Sequence, residues 1–120
     1  MTKLILQTAL AFLLTSLTFA QSPQTVTGTG CASVSVQGRA TIAIQVIGTW
    51  TGTIQPQVSI AGQAAVNLPV TPSTSTTSQT TITGNGTFTA NVSGYTTAFF
   101  CGATVTNTAT LYIQTSEKVH

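Results

Sequence analysis

Side chains able to do acid–base or metal chemistry are almost missing from this sequence. It has no aspartate; its one acidic residue is Glu117 and its one histidine is His120, both beside Lys118 at the C-terminal end. Lys3 stands near the N-terminus, which leaves Arg39 as the one charged residue in between. General acid–base catalysis needs a positioned carboxylate, imidazole, amine, phenol or thiol. Hydrolytic and structural metal sites need carboxylate, imidazole or thiolate ligands in clusters. The many Ser and Thr hydroxyls have no base to activate them as nucleophiles. The sequence therefore predicts no catalytic residues, no metal site and no cofactor. The net charge of +2 forms no basic patch, so the electrostatic footprint of nucleic-acid binding is missing as well.

Binding chemistry is better represented. Trp50 lies beside two glycines in Gly48-Thr49-Trp50-Thr51-Gly52. It could stack on a sugar ring or plug the end of a β-structure, since indole couples a large apolar area to one N–H donor. Phe99 and Phe100 are adjacent, so in a strand they point to opposite faces; the alternation around Val105 puts Phe99 inward and makes Phe100 a candidate interface residue. Tyr112, between Thr110 and Gln114, falls on the outward face of the last strand. Trp50, Phe100 and Tyr112 are the candidates for ligand or subunit contact. Asn85-Gly86-Thr87 and Asn91-Val92-Ser93 both match the N-glycosylation acceptor pattern, which matters only in a host with that machinery.

The ends suggest export. Met1-Thr2-Lys3 precedes an apolar run from Leu4 to Leu17, and Thr18-Phe19-Ala20 offers small residues before a cut, the pattern of a secretory signal peptide over residues 1–20. The rival reading, a membrane anchor, wants roughly 20 unbroken apolar residues, and Gln7 and several Thr interrupt this run. No later segment is apolar enough to span a bilayer. Export to an oxidising compartment makes Cys31 and Cys101 read as one disulfide; unbridged, they would serve as small buried hydrophobes.

The elements that must position these residues are strands. Residues 21–30 are polar and read as a flexible leader. From Cys31 onward the apolar residues alternate with period two and never follow a helical period. Examples are Ile42, Ile44 and Val46, then Phe88, Ala90 and Val92, then Ala109, Leu111 and Ile113. Pro56 marks an edge or a bulge. Gly84-Asn85-Gly86 is a hairpin signal, and Thr106-Asn107-Thr108 reads as the turn before the last strand. The expectation is an all-β domain over residues 31–116, a two-sheet antiparallel sandwich of jelly-roll or immunoglobulin-like type with about eight short strands. Residues 117–120 form a tail.

Gly48-Thr49-Trp50-Thr51-Gly52-Thr53-Ile54, followed by Val58-Ser59-Ile60-Ala61-Gly62, resembles β-sandwich modules of tailed-phage virion and tail-associated proteins. Gly94-Tyr95 and Thr108-Ala109-Thr110-Leu111 match the closing elements of those modules. The chain is also similar to discoidin-like or galactose-binding-like jelly rolls. Ala61 and Ala65 stand near the positions where the family carries an Asp and a second Trp, so a glycan or cation site built on those is not implied. Taken together, the sequence reads as a non-enzymatic, extracellular structural or adhesive subunit at the cell surface. Its expected partners are copies of itself, in a homo-oligomer or fibre, or surface glycans. A phage or prophage virion decoration or tail-associated protein is the alternative.

Overall fold

The computed structural model describes residues 23–117. The expected signal peptide and residues 118–120 of the tail lie outside them. The period-two pattern yields eight strands and, among the described residues, no helix. They are β1 (Gln24–Gly28), β2 (Cys31–Ser35), β3 (Arg39–Ile47), β4 (Thr51–Ser59), β5 (Val66–Asn67), β6 (Thr71–Pro72), β7 (Gly86–Asn91) and β8 (Thr97–Glu117). All pairings are antiparallel.

The organiser is β8, a strand of 21 residues. Its first half lies between β2 and β4, its second half between β1 and β3. The hydrogen-bonded path β5-β4-β8-β3-β7-β6 is continuous, and the antiparallel sheet curls as a half-barrel. Three chain segments bend together at one corner: the β1–β2 junction, the β3–β4 junction and the middle of β8. In β8 the bend is made by bulges, where Thr104 (φ 59°) and Asn107 (φ 64°) adopt left-handed backbone and the pairing register with β1 and β4 slips. An extra residue in one strand bends it and sharpens its twist. Thr106-Asn107-Thr108 is therefore a bulged corner within one strand, not the expected turn between two.

Those bulges also correct the side-chain phase. Inward residues run Ala98, Phe100 before the corner and Val105, Ala109, Leu111, Ile113 after it. Projecting the phase of Val105 backwards across an inserted residue assigns Phe99 and Cys101 to the wrong face, because one slipped residue inverts every side chain beyond it. Phe100 is fully buried and Phe99 half-buried. Cys101 points outward, as Cys31 does, and the two face each other in register across β2 and β8. They are joined as a disulfide with a sequence separation of 70.

Three further expectations change. Residues 24–28, expected within a flexible leader, form β1, whose Val26 is 1% exposed in the core; an apolar residue between Thr25 and Thr27 gave that short strand an inward face. Gly84-Asn85-Gly86 does not turn a hairpin: Ile82 bridges Ile54 on β4, whereas β7 pairs with β3, so the triplet carries the chain across from one part of the sheet to the other. Pro56 sits neither at a free edge nor at a bulge: it is paired with Phe100 on β8, and on its other side Leu68 N–H donates to its carbonyl (3.0 Å). Ile54 exchanges both backbone bonds with Ile82, on the side away from β8. Alternation then turns the missing Pro56 N–H to that same outer side, and no bond to β8 is lost.

The concave side of the curl holds a single apolar cluster drawn from both halves of the sheet, with Ile42, Ile44, Ile54, Ile82, Phe100 and Leu111 among its fully buried members.

Candidate binding face and the Trp50 corner

Residues 48–54 form the β3–β4 corner, and its chemistry is structural. Trp50 is 8% exposed, so it offers no open ring for stacking. Its Nε1–H donates to Asn85 Oδ1 (2.8 Å), and Asn85 Nδ2 in turn donates to the Gly48 carbonyl (2.8 Å). Asn107 Nδ2 donates to the Thr49 carbonyl (3.1 Å) from the opposing bulge of β8. Asn85 thus ties both ends of the Gly-Thr-Trp element, and Asn107 holds its middle. Gly52 completes the corner: its φ is +117°, and a Cβ there would sit 2.6 Å from the Thr104 carbonyl oxygen. Only glycine tolerates that conformation and that approach.

Phe100 lies opposite Ala32 and Pro56 in the sheet register and is fully buried, which removes it from any surface. Tyr112 is 45% exposed and stands on the convex side, where pairing builds an ordered array. Tyr112 is opposite Gln45, which is opposite Thr87. In the next row Gln114, Ala43, Thr89 and Thr71 are aligned, and on the other side Thr25, Thr110 and Ile47. Ile47 is 40% exposed. Strand alternation makes all of these share one face. The face is uncharged: by the same alternation Glu117, next to Ser116, has the opposite parity, and its 3.2 Å ion pair with Arg39 lies where β3 begins and β8 ends, both side chains exposed enough for the pair to add little to stability. Amides, hydroxyls and one phenol on a pleated surface can hydrogen-bond and stack against a neutral polar partner. They supply no acid–base pair.

Tyr112 is exposed where the sequence reading put it, because the terminal strand alternates without interruption after Ala109. Sequence reasoning missed Asn85, whose role depends on a contact with Trp50 at a sequence distance of 35. Its neighbours read only as turn residues.

No protein-family model and no curated protein matches the chain. Its fold is similar to that of the SPBc2 prophage-derived protein YomS, with a TM-score of 0.63 and 14% identity, covering 79% of this chain and 94% of that one. It is also similar to the PBSX exported protein XepA, with a TM-score of 0.68 and 12% identity, covering 80% of this chain and 39% of that one. At these identities the likeness is one of fold, an antiparallel all-β module that occurs in prophage-derived proteins.

Proposed function

We propose that this chain is a structural β-module associated with a phage or prophage, one that works by binding or assembling rather than by catalysis. In this reading the curled sheet is a two-sheet sandwich whose halves share β8. The observation that carries it is the fold likeness to two prophage proteins, which in YomS takes in nearly the whole chain. The other of the two is described as exported, and an exported phage-derived protein accommodates the signal-peptide pattern of residues 1–20. The Cys31–Cys101 bridge fits the same oxidising destination. Fold alone does not fix function; the ordered amides, hydroxyls and phenol around Tyr112 are the second support for a binding role.

The adhesive reading rests on the neutral face around Tyr112, and a glycan is its natural ligand. Quantitative proteomics before and after prophage induction separates the two. Co-induction with neighbouring phage genes, and recovery with particles or in the lysate medium, supports the phage reading. Constitutive expression and retention on the cell surface, unchanged by induction, would replace it with the adhesive one.

A further inference from the structure

The sheet has one long side that its own chain leaves uncovered. On β4, the side away from β8 is met by β5 at Gln57 and Val58 and by Ile82 at Ile54. On β7, the side away from β3 is met by β6. The side of β1 and β2 away from β8 pairs with no other strand among the described residues. Natural sheets protect such edges with lysines, prolines or very short strands. Here both strands are five residues long, and neither QTVTG nor CASVS contains a charge or a proline.

The hydrogen-bond parity of β2 is fixed by its flanks. Gly102 N–H donates to the Gly30 carbonyl and Val36 N–H to the Thr96 carbonyl. Even-numbered residues therefore bond to β8, and the N–H and C=O groups of Cys31, Ser33 and Ser35 point to the open side. At Ser33 those groups are occupied in an unusual way. Gln24 Nε2 donates to the Ser33 carbonyl (2.7 Å) while Ser33 N–H donates to Gln24 Oε1 (3.1 Å). One side-chain amide thus makes the donor–acceptor pair that an antiparallel strand would make.

We propose that the open edge of β2 is a strand-addition site for a second copy of this chain, with Gln24 as its intramolecular placeholder. The pattern is self-complementary. A two-fold axis at Ser33 sets Ser33 against the partner's Ser33 and Cys31 against the partner's Ser35, so every outward group meets its counterpart in antiparallel register. The same rotation continues the inner faces, Ala32 and Val34 of one copy adjoining those of the other. No like charges oppose one another, and the displaced Gln24 amide returns to water. This inference does not depend on the phage association, since it concerns only how two copies meet.

Sedimentation equilibrium of the purified, oxidised protein and two variants tests it. The wild type should show a concentration-dependent monomer–dimer equilibrium by about 100 μM. Gln24→Leu removes the competing amide and should tighten the dimer roughly tenfold, a change worth about 1.4 kcal/mol. Ser33→Pro removes an N–H that faces away from β8 and should abolish the dimer while leaving the circular dichroism spectrum unchanged. If that variant does not fold, Ser33→Lys, which places like charges together at the axis, should give the same loss. A wild type and a Gln24→Leu variant that both remain monomeric overturn the proposal. So does a folded Ser33 variant that dimerises as the wild type does.

Discussion

Replacing Asn85 tests whether the Gly-Thr-Trp element is a structural corner. In Asn85→Ala the Trp50 Nε1–H loses its acceptor and the Gly48 carbonyl loses a donor. Trp50 is 8% exposed, so water reaches its N–H poorly, and an unsatisfied donor there costs about 1–2 kcal/mol within the range for buried polar groups. Gly48 is an exposed residue, so water can replace the lost donor at its carbonyl, which limits its share to about 0.5 kcal/mol. Asn85 is itself exposed, so little packing is lost with it. The sum is about 2 kcal/mol, which for a domain of this size lowers Tm by roughly 8–16 °C. Asn85→Asp keeps an acceptor for Trp50 but sets a carboxylate against the Gly48 carbonyl, so its loss should be intermediate, about 1 kcal/mol. Trp50 is the one tryptophan, so urea unfolding followed by its fluorescence reads this corner directly, and the midpoint should fall with m unchanged. Asn85→Ala within about 0.5 kcal/mol of wild type, the range of ordinary surface substitutions, would refute the clasp.

Further outcomes follow from the same geometry. The Cys31–Cys101 bridge closes a loop with a separation of 70, so the Cys31→Ala, Cys101→Ala double variant should lose up to about 4 kcal/mol; intact mass with alkylation before and after reduction checks the bond itself. Gly52→Ala forces a Cβ to 2.6 Å from the Thr104 carbonyl at a φ of +117° and should cost about 1–3 kcal/mol from backbone strain alone. Gly84→Ala, where a Cβ meets nothing, is the control, and thermal unfolding of both is the measurement. Phe100→Ala should cost about 3–5 kcal/mol in urea unfolding. Tyr112→Ala should cost under about 0.5 kcal/mol while weakening whatever the convex face binds, read by glycan array or by pull-down from induced lysate.

Much of the fold was legible because half-buried antiparallel strands write their faces into the sequence at period two. Ile42, Ile44 and Val46 on β3, and Phe88 and Ala90 on β7, fall where their alternation puts them. That signal fails wherever an extra residue enters a strand. Nothing in Ala103-Thr104-Val105 announces a bulge, since threonine is a strand former that rarely adopts positive φ, yet this residue decides which of Phe99 and Phe100 is core and which way Cys101 points. Asn107 is more readable, because asparagine tolerates left-handed backbone and its amide caps a carbonyl across the corner. The leader was misread for a different reason. Gln24-Thr25-Val26-Thr27-Gly28 has one apolar residue, too few for a local pattern, and it becomes a strand because the second half of β8 supplies a partner. Candidate contact residues followed the same division: Tyr112 lies beyond the last bulge, where alternation is reliable, whereas Phe100 lies before it.

The scarcity of charge links the face and the edge. Surface charge keeps copies of a protein apart and blunts exposed strands, and among the described residues only Arg39 and Glu117 carry any. These two pair with one another at 3.2 Å where β3 begins and β8 ends. A chain whose only task was to stay dispersed would gain from lysines along β1 and β2 at almost no cost, because the outward positions Thr25, Thr27, Ser33 and Ser35 carry no packing demand. Instead those positions hold small hydroxylic side chains, and one glutamine covers the open edge with hydrogen bonds that another strand can replace. In the proposed dimer a neutral amide would serve as a reversible cover: it satisfies Ser33 in the isolated chain and would yield to a second strand that satisfies Cys31, Ser33 and Ser35 together. That combination argues for a surface built to be covered by another chain.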